Sequence, residues 1–281
     1  MITCNLMGGL GNQIFQIFAT ISYAIKSRNQ FKFTDKTQLG GGSTTLRYTF
    51  WNSFFSNLKP FITSTFPPLH TIKEKGFPYS ELLVLEMMNR DVLLFGYFQS
   101  YKYFQEYYDI ICRLIGLDKM KVELLTNVNL AGRSLDKTIS MHFRLGDYKK
   151  LQDFHPIATY EYYEGALTYI QKANQYEEFT VHFFCEDDDV NEVQITIKKL
   201  EKQFPRYNFV RVDNSLADWQ QMLLMSCCHH NIIANSSFSW WGAYFNSRED
   251  KIVCYPSLWF GEKANIDTRD LCPPGWVKIS V

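Results

Sequence analysis

At 281 residues the chain exceeds a minimal domain and suits either one large domain or two ordinary ones. Its composition is globular, 46% hydrophobic and 21% charged, with 29 Lys and Arg balancing 29 Asp and Glu. That zero net charge argues against nucleic acid or an anionic membrane surface as the main partner, while leaving room for a local basic pocket.

The N-terminal "MITCNLM" (1–7) reads as a strand. It has no basic region followed by a long apolar stretch, so neither a signal peptide nor a membrane anchor is expected, and a soluble, cytoplasmic protein is. "GGLGNQIFQ" (8–16) follows, with glycines at 8, 9 and 11. It matches a dinucleotide fingerprint only superficially, and no acidic partner stands on a second strand. Gly9 and Gly11 permit close backbone approach, and Asn12 and Gln13 offer amides at the start of a helix over 12–29. A strand at 31–33, a Gly- and Thr-rich loop at 39–50 and an irregular aromatic region with Pro60, Pro67, Pro68 and Pro78 come next. The pattern then predicts a strand over 91–98 and a helix over 101–116, and a polar stretch at 120–137 marks a domain joint.

Beyond the joint, strands and helices alternate. Strands are expected at 137–145, 179–185, 207–212, 231–235 and 251–256, and helices at 160–173, 190–204, 216–228 and 238–247. Such alternation predicts βαβ units, hence a parallel, doubly wound sheet. The seven cysteines, at 4, 112, 185, 227, 228, 254 and 272, form no CxxC pair, which suits reduced thiols and disfavours structural zinc.

Three strand ends carry polar chemistry. In "MHFRLGDY" (141–148), strand alternation puts His142 and Arg144 on one face, and a strand ending at Gly146 turns Asp147 back toward the carboxyl edge. Ligands sit at that edge in open α/β sheets, and a guanidinium fork suits a phosphate. A structural ion pair at the strand end is an equal reading. In "FFCEDDD" (183–189), Glu186 and Asp187 can accept from ribose hydroxyls or from guanine N–H groups, can hold a metal, or can face water and cap the next helix. In "NIIANSSFSWWGAYF" (231–245), Asn235, Ser236, Ser237 and Phe238 open a helix whose N-terminus can take an anion or whose serines can act as caps; Trp240 and Trp241 read as core.

Taken together, these segments resemble the α-1,2-fucosyltransferases, family eleven of the glycosyltransferases. Residues 8–15 match that family's GGLGNQ-F-type opening. His142, Arg144, Gly146 and Asp147 match its H-x-R-x-G-D motif, and residues 235–242 match N-S-[ST]-F-S-W-W-[GA]. "GYFQSYKYF" (96–104) is similar to the aromatic stretch before its mid-chain helix. The resemblance implies a GT-B-type α/β fold, two Rossmann-like domains facing a cleft: 1–130 on the acceptor side and 131–281 binding the GDP-sugar.

It further implies GDP-fucose as donor, a glycan acceptor such as a terminal galactose, inversion at the anomeric carbon, no cofactor and no obligatory metal. Arg144, Asp147 and His142 would act at the reacting centre. Gly9, Gly11, Asn12, Gln13, Glu186, Asp187, Asn235, Ser236, Ser237 and Phe238 would bind substrate. Departures are Leu145, where many members carry a second arginine, and "CEDDD" (185–189) in place of a Ser–Asp pair, which leaves the register of Glu186 and Asp187 open. Three other readings remain: a different fucosyl linkage such as α-1,6, a GDP-sugar-binding protein without transferase activity, and a Rossmann oxidoreductase.

Overall fold

A computed structural model describes residues 1–40, 46–84, 90–128, 135–175, 177–212 and 215–280. The protein is mixed α/β with parallel sheets. It divides into two compact units, Met1–Met120 with Asp267–Pro273, and Lys121–Ile266 with Pro274–Val281. Residues 41–45 of the expected 39–50 loop and 129–134 of the expected joint lie outside the described residues.

The first unit holds strands β1 (Ile2–Cys4), β2 (Phe33–Thr34), β3 (Gln38–Leu39), β4 (Arg47–Tyr48), β5 (Ile62–Thr63), β6 (His70–Lys73) and β7 (Val92–Phe95). Its main sheet is parallel in the order β1–β7–β6, with β2–β5 and β3–β4 as small pairs. Helix α1 (Leu10–Lys26) buries Ile14, Phe15, Ile17, Phe18 and Ile21. Phe104 packs on Phe18 edge-on at 5.6 Å and on Phe15 at 6.0 Å. The region expected to be irregular supplies core instead: Trp51, Phe54 and Phe55 are all buried, each aromatic side chain contributing about 1.5–3 kcal/mol of burial.

The expected helix over 101–116 is shorter. Two 3-10 turns, Tyr101–Tyr103 and Gln105–Tyr107, precede α2 (Tyr108–Ile115), which Gly116 ends at φ +74°. The polar joint is partly helical: α3 (Leu117–Asn127) buries Leu117 and Leu124. Two leucines seven residues apart anchor one face while the rest is solvated, a composition that reads as linker. The chain also returns to this unit late, where Asp270 takes Lys102 Nζ at 2.5 Å and the backbone N–H of Tyr79 at 3.1 Å.

The second unit carries β8 (Thr138–His142), β9 (Thr180–Phe184), β10 (Asn208–Arg211), β11 (His230–Ile232), β12 (Val253–Pro256) and β13 (Val277–Ile279). All pair in parallel in the order β10–β9–β8–β11–β12–β13. The edge strand β13 was too short to show a period. Helices α4 (Tyr160–Ala173) and α5 (Val190–Gln203) meet one apolar set with Ile139, Met141 and Phe143. Elsewhere in the unit, α6 (Asp218–Cys227) and α7 (Ser237–Tyr244) bury Met222, Leu223, Trp240 and Trp241.

Strand β8 ends at His142, three residues earlier than its alternation predicts, and the Tyr163 hydroxyl donates to the His142 carbonyl there at 3.0 Å. Tyr162 likewise donates to the carbonyl of Ile233 at 2.5 Å, just past β11. Two adjacent tyrosines of α4 thus meet the carbonyls at the ends of two adjacent strands.

Candidate active site

In the second unit the strand order reverses between β8 and β11: β9 and β10 lie on one side of this pair, β12 and β13 on the other. Loops leaving the two strands therefore diverge, which opens the crevice where ligands bind in doubly wound sheets. The β8 loop carries Arg144 and Asp147, and the β11 loop carries residues 235–237.

Arg144 is held between two carboxylates. Nη2 donates to Asp147 Oδ1 at 2.5 Å, and Nη1 donates to Glu186 Oε1. The guanidinium carbon stands 5.2 Å from the Tyr148 ring centroid. The Arg144 side chain is 23% exposed, whereas Asp147 and Glu186 are 49% and 55% exposed. Both carboxylates can therefore be given up to water at little cost if an anion arrives.

The turn that aims Arg144 is built on Gly146, at φ +33°, where an added Cβ would meet Glu186 Oε2 at 2.9 Å. Its N–H donates to Asp189 Oδ2 at 2.8 Å, and Lys149 Nζ reaches Asp189 Oδ1 at 2.9 Å and Glu192 at 2.6 Å. Asp189 is 1% exposed. It is the buried member of the acidic run; Glu186 meets Arg144, and Asp187 pairs instead with Arg211 at the end of β10.

On the β11 loop, Asn235 Nδ2 donates to the carbonyls of Pro156 at 2.8 Å and Trp259 at 3.0 Å. Its buried Oδ1 has no partner among the described residues. Ser236 Oγ accepts the N–H of Phe238 at 3.3 Å and caps α7. Ser237 opens that helix, and Phe238 faces the His142 ring at 5.5 Å. The hydroxyl of Tyr148 donates to the Asn235 carbonyl at 3.1 Å, tying the two loops together.

His142 is buried, with Nδ1 unpartnered among the described residues. Burial, and then the Arg144 charge, push its pKa down to about 3. It is therefore neutral near pH 7 and weak as a base, though able to make hydrogen bonds. His230, whose Nδ1 accepts from Ile252 N–H, is also pushed down to about 3, chiefly by burial.

Both histidines take a proton near the ordinary 6.5 once unfolded, so between about 3 and 6.5 the unfolded chain binds more protons. Stability is then fully present above that window and falls as pH drops through it. Melting temperatures measured from pH 7 to 4 should decline, and His142→Gln or His230→Gln should each flatten the slope.

In the first unit, Gly8 turns at φ +76° and Gly9 stands at the N-cap of α1, where an added Cβ would meet nothing within 4 Å. Gly11 is buried inside the helix. Asn12 Oδ1 accepts from Gln99 Nε2 at 2.8 Å. Gln13 is fully buried, its amide donating to the carbonyls of Gly8 at 3.0 Å and Tyr48 at 2.8 Å. The sequence reading missed Tyr148 and Asp189. Tyr148 lay inside the quoted motif, and Asp189 closed the acidic run.

Among the described residues, no cluster of three or more His, Cys, Asp or Glu suits a metal ion, and no helix is long and apolar enough to cross a membrane. The model of glycosyl transferase family 11 matches residues 77–280. The O-antigen biosynthesis glycosyltransferase WbnK of Escherichia coli is 32% identical over 194 residues, 66% of this chain and 60% of that protein. An alpha-1,2-colitosyltransferase of Escherichia coli is 28% identical over 307 aligned positions, 99% of each chain. A solved family 9 glycosyl transferase from Veillonella parvula aligns over 58% of this chain and 40% of its own, at 11% identity and a TM-score of 0.37.

Proposed function

Because the chain belongs to glycosyl transferase family 11, we propose that it moves L-fucose from GDP-fucose to the 2-hydroxyl of an acceptor sugar, a terminal galactose first among them. The reading includes a GT-B arrangement, with the donor on the C-terminal domain (131–281) and the acceptor approaching the turn at residues 8–13 of the N-terminal domain (1–130).

One observation carries it. At the reversal of strand order, a guanidinium fork on one loop is tied to a serine-capped helix N-terminus on the next. Both are anion-binding devices, and a sugar diphosphate is an anion with room for both.

The acceptor oxygen attacks the anomeric carbon from the face opposite GDP. As that C–O bond forms, the bond to the β-phosphate oxygen breaks and its electron pair leaves with GDP. Arg144 exchanges its two carboxylates for the diphosphate and neutralises the charge that develops there, helped by the hydroxyls of Ser236 and Ser237. That exchange frees Asp147, a half-exposed carboxylate, to take the acceptor proton. Neutral His142 orients a phosphate oxygen rather than accepting the proton. No cofactor or metal enters the scheme.

The alignment over 99% of both chains with an alpha-1,2-colitosyltransferase favours a second donor sugar, colitose, with the same linkage. GDP release from GDP-fucose and from GDP-colitose, in EDTA, against a panel of terminal galactosides, separates the two. Release that rises with one acceptor and survives EDTA supports transfer. Release indifferent to acceptor leaves only donor hydrolysis, and none from either donor removes the reading.

Gly9 offers an independent check, because its Cβ position is open. Gly9→Ala should lower stability by less than about 1 kcal/mol, the cost of an N-cap change. If the acceptor passes over this turn, its KM rises about tenfold, equivalent to about 1.4 kcal/mol of lost contact. Steady-state kinetics at saturating donor would show it.

A further inference from the structure

We propose that Tyr148 is a positioning residue for Arg144: its ring seats the guanidinium and its hydroxyl fastens that seat to the β11 loop. The inference rests on Arg144 being the group that meets the diphosphate.

Three contacts define the seat. The Arg144 guanidinium lies over the Tyr148 ring at 5.2 Å. That ring also meets His155, stacked at 4.8 Å with planes 21° apart, and His155 in turn packs on Phe260 at 5.7 Å. The hydroxyl donates to the Asn235 carbonyl at 3.1 Å. Asn235 then reaches back with its side chain to the carbonyls of Pro156 and Trp259, neighbours of His155 and Phe260. Arginine, ring stack and serine turn thus form one closed assembly.

What distinguishes Tyr148 from the other partners of Arg144 is its chemistry. Asp147 and Glu186 hold the guanidinium through charge, and an incoming diphosphate competes with them for the same N–H groups. A ring face holds it through the cation–π attraction, for which an incoming diphosphate does not compete. The seat therefore persists while the in-plane partners are exchanged. The link to Asn235 also fixes the spacing between the two anion-binding loops, which a displaced phosphate would feel at both ends.

The test is a double-mutant cycle on activity, with melting temperature and the GDP-induced thermal shift measured alongside. Tyr148→Leu removes ring and hydroxyl, and about a hundredfold loss is expected, mainly in kcat, as for a misplacement of about 1 Å. Tyr148→Phe keeps the ring but cuts the link to the Asn235 carbonyl, so it should recover part of that loss and stay below the parent. In the Arg144→Ala background, Tyr148→Leu should cost nothing more, because a residue acting through another loses its effect when the other is gone.

Equal losses from Tyr148→Leu in both backgrounds would overturn the proposal, since ordinary packing would give that result. So would near-normal kcat in Tyr148→Leu while Arg144→Ala is crippled, and here the reading of Arg144 would survive. Full activity in Arg144→Ala would remove that reading and the proposal with it. If Tyr148→Leu does not fold, Tyr148→Trp replaces it with a larger ring. A kcat in Tyr148→Trp and Tyr148→Phe that is below the parent but well above that of Arg144→Ala then supports the proposal, and a loss in both as large as that of Arg144→Ala refutes it.

Discussion

Arg144→Ala should lower kcat by about 10²–10³-fold or more, the usual cost of removing one preorganised group that stabilises developing charge. Arg144→Lys should fail to restore it. The arginine directs its two Nη atoms at two separate carboxylates and can offer the same fork to a diphosphate as two parallel N–H donors, which the point charge of an ammonium cannot. Lysine would also lose the guanidinium contact over the Tyr148 ring. Because Asp147 and Glu186 stay solvated when Arg144 is removed, the alanine variant should fold and melt close to the parent, so activity can be compared directly. GDP release at saturating donor and acceptor is the measurement. Loss confined to KM, with kcat intact, would mean that Arg144 binds the ground state and the transition state equally.

The second large effect is expected at Asp189. Its carboxylate is buried and serves two donors at once, the Gly146 N–H and Lys149 Nζ. Asp189→Ala leaves a backbone N–H without its acceptor and removes half of the Lys149 pairing, so a loss of about 2–3 kcal/mol in stability is expected. Lys149 keeps Glu192, which limits the damage on that side. Asp187→Ala, two residues earlier, breaks an exposed pair with Arg211 and should fall within about 1 kcal/mol of the parent. Urea unfolding of both variants makes the comparison. Asp189→Asn, which keeps one acceptor, should be milder in stability yet still lower kcat, because the Gly146 turn that aims Arg144 relaxes.

The acidic run illustrates a limit of sequence reading. Four consecutive carboxylates, Glu186 to Asp189, are alike in composition, yet each has a different neighbour or exposure once β9 ends at Phe184 and a 3-10 turn begins at Asp187. A turn of three residues rotates successive side chains by about 120°, so Glu186 meets Arg144, Asp187 meets Arg211 and Asp189 goes inward. No pattern of period two or 3.6 encodes that assignment.

Much of the rest follows from local chemistry. The alternating strands and helices of the second half, and with them the parallel sheet, were legible because buried parallel strands are continuous apolar runs and their covering helices carry an apolar stripe. The same logic identified Trp240 and Trp241 as core. His142, Arg144, Asp147 and the turn at residues 235–237 were legible because polar groups gathered at a strand end stand out against such runs.

What required the tertiary structure was everything that depends on partners distant in sequence. The strand order, and so the reversal between β8 and β11, is a property of pairing across about ninety residues, with Met141 beside Ile232. The carbonyl at the end of β8, that of His142, takes its side-chain donor from a tyrosine twenty-one residues on. The sequence determined which side chains could do this chemistry. Tertiary packing decided which of them meet, because hydrogen bonds and ion pairs act over a few ångströms, whatever their separation along the chain.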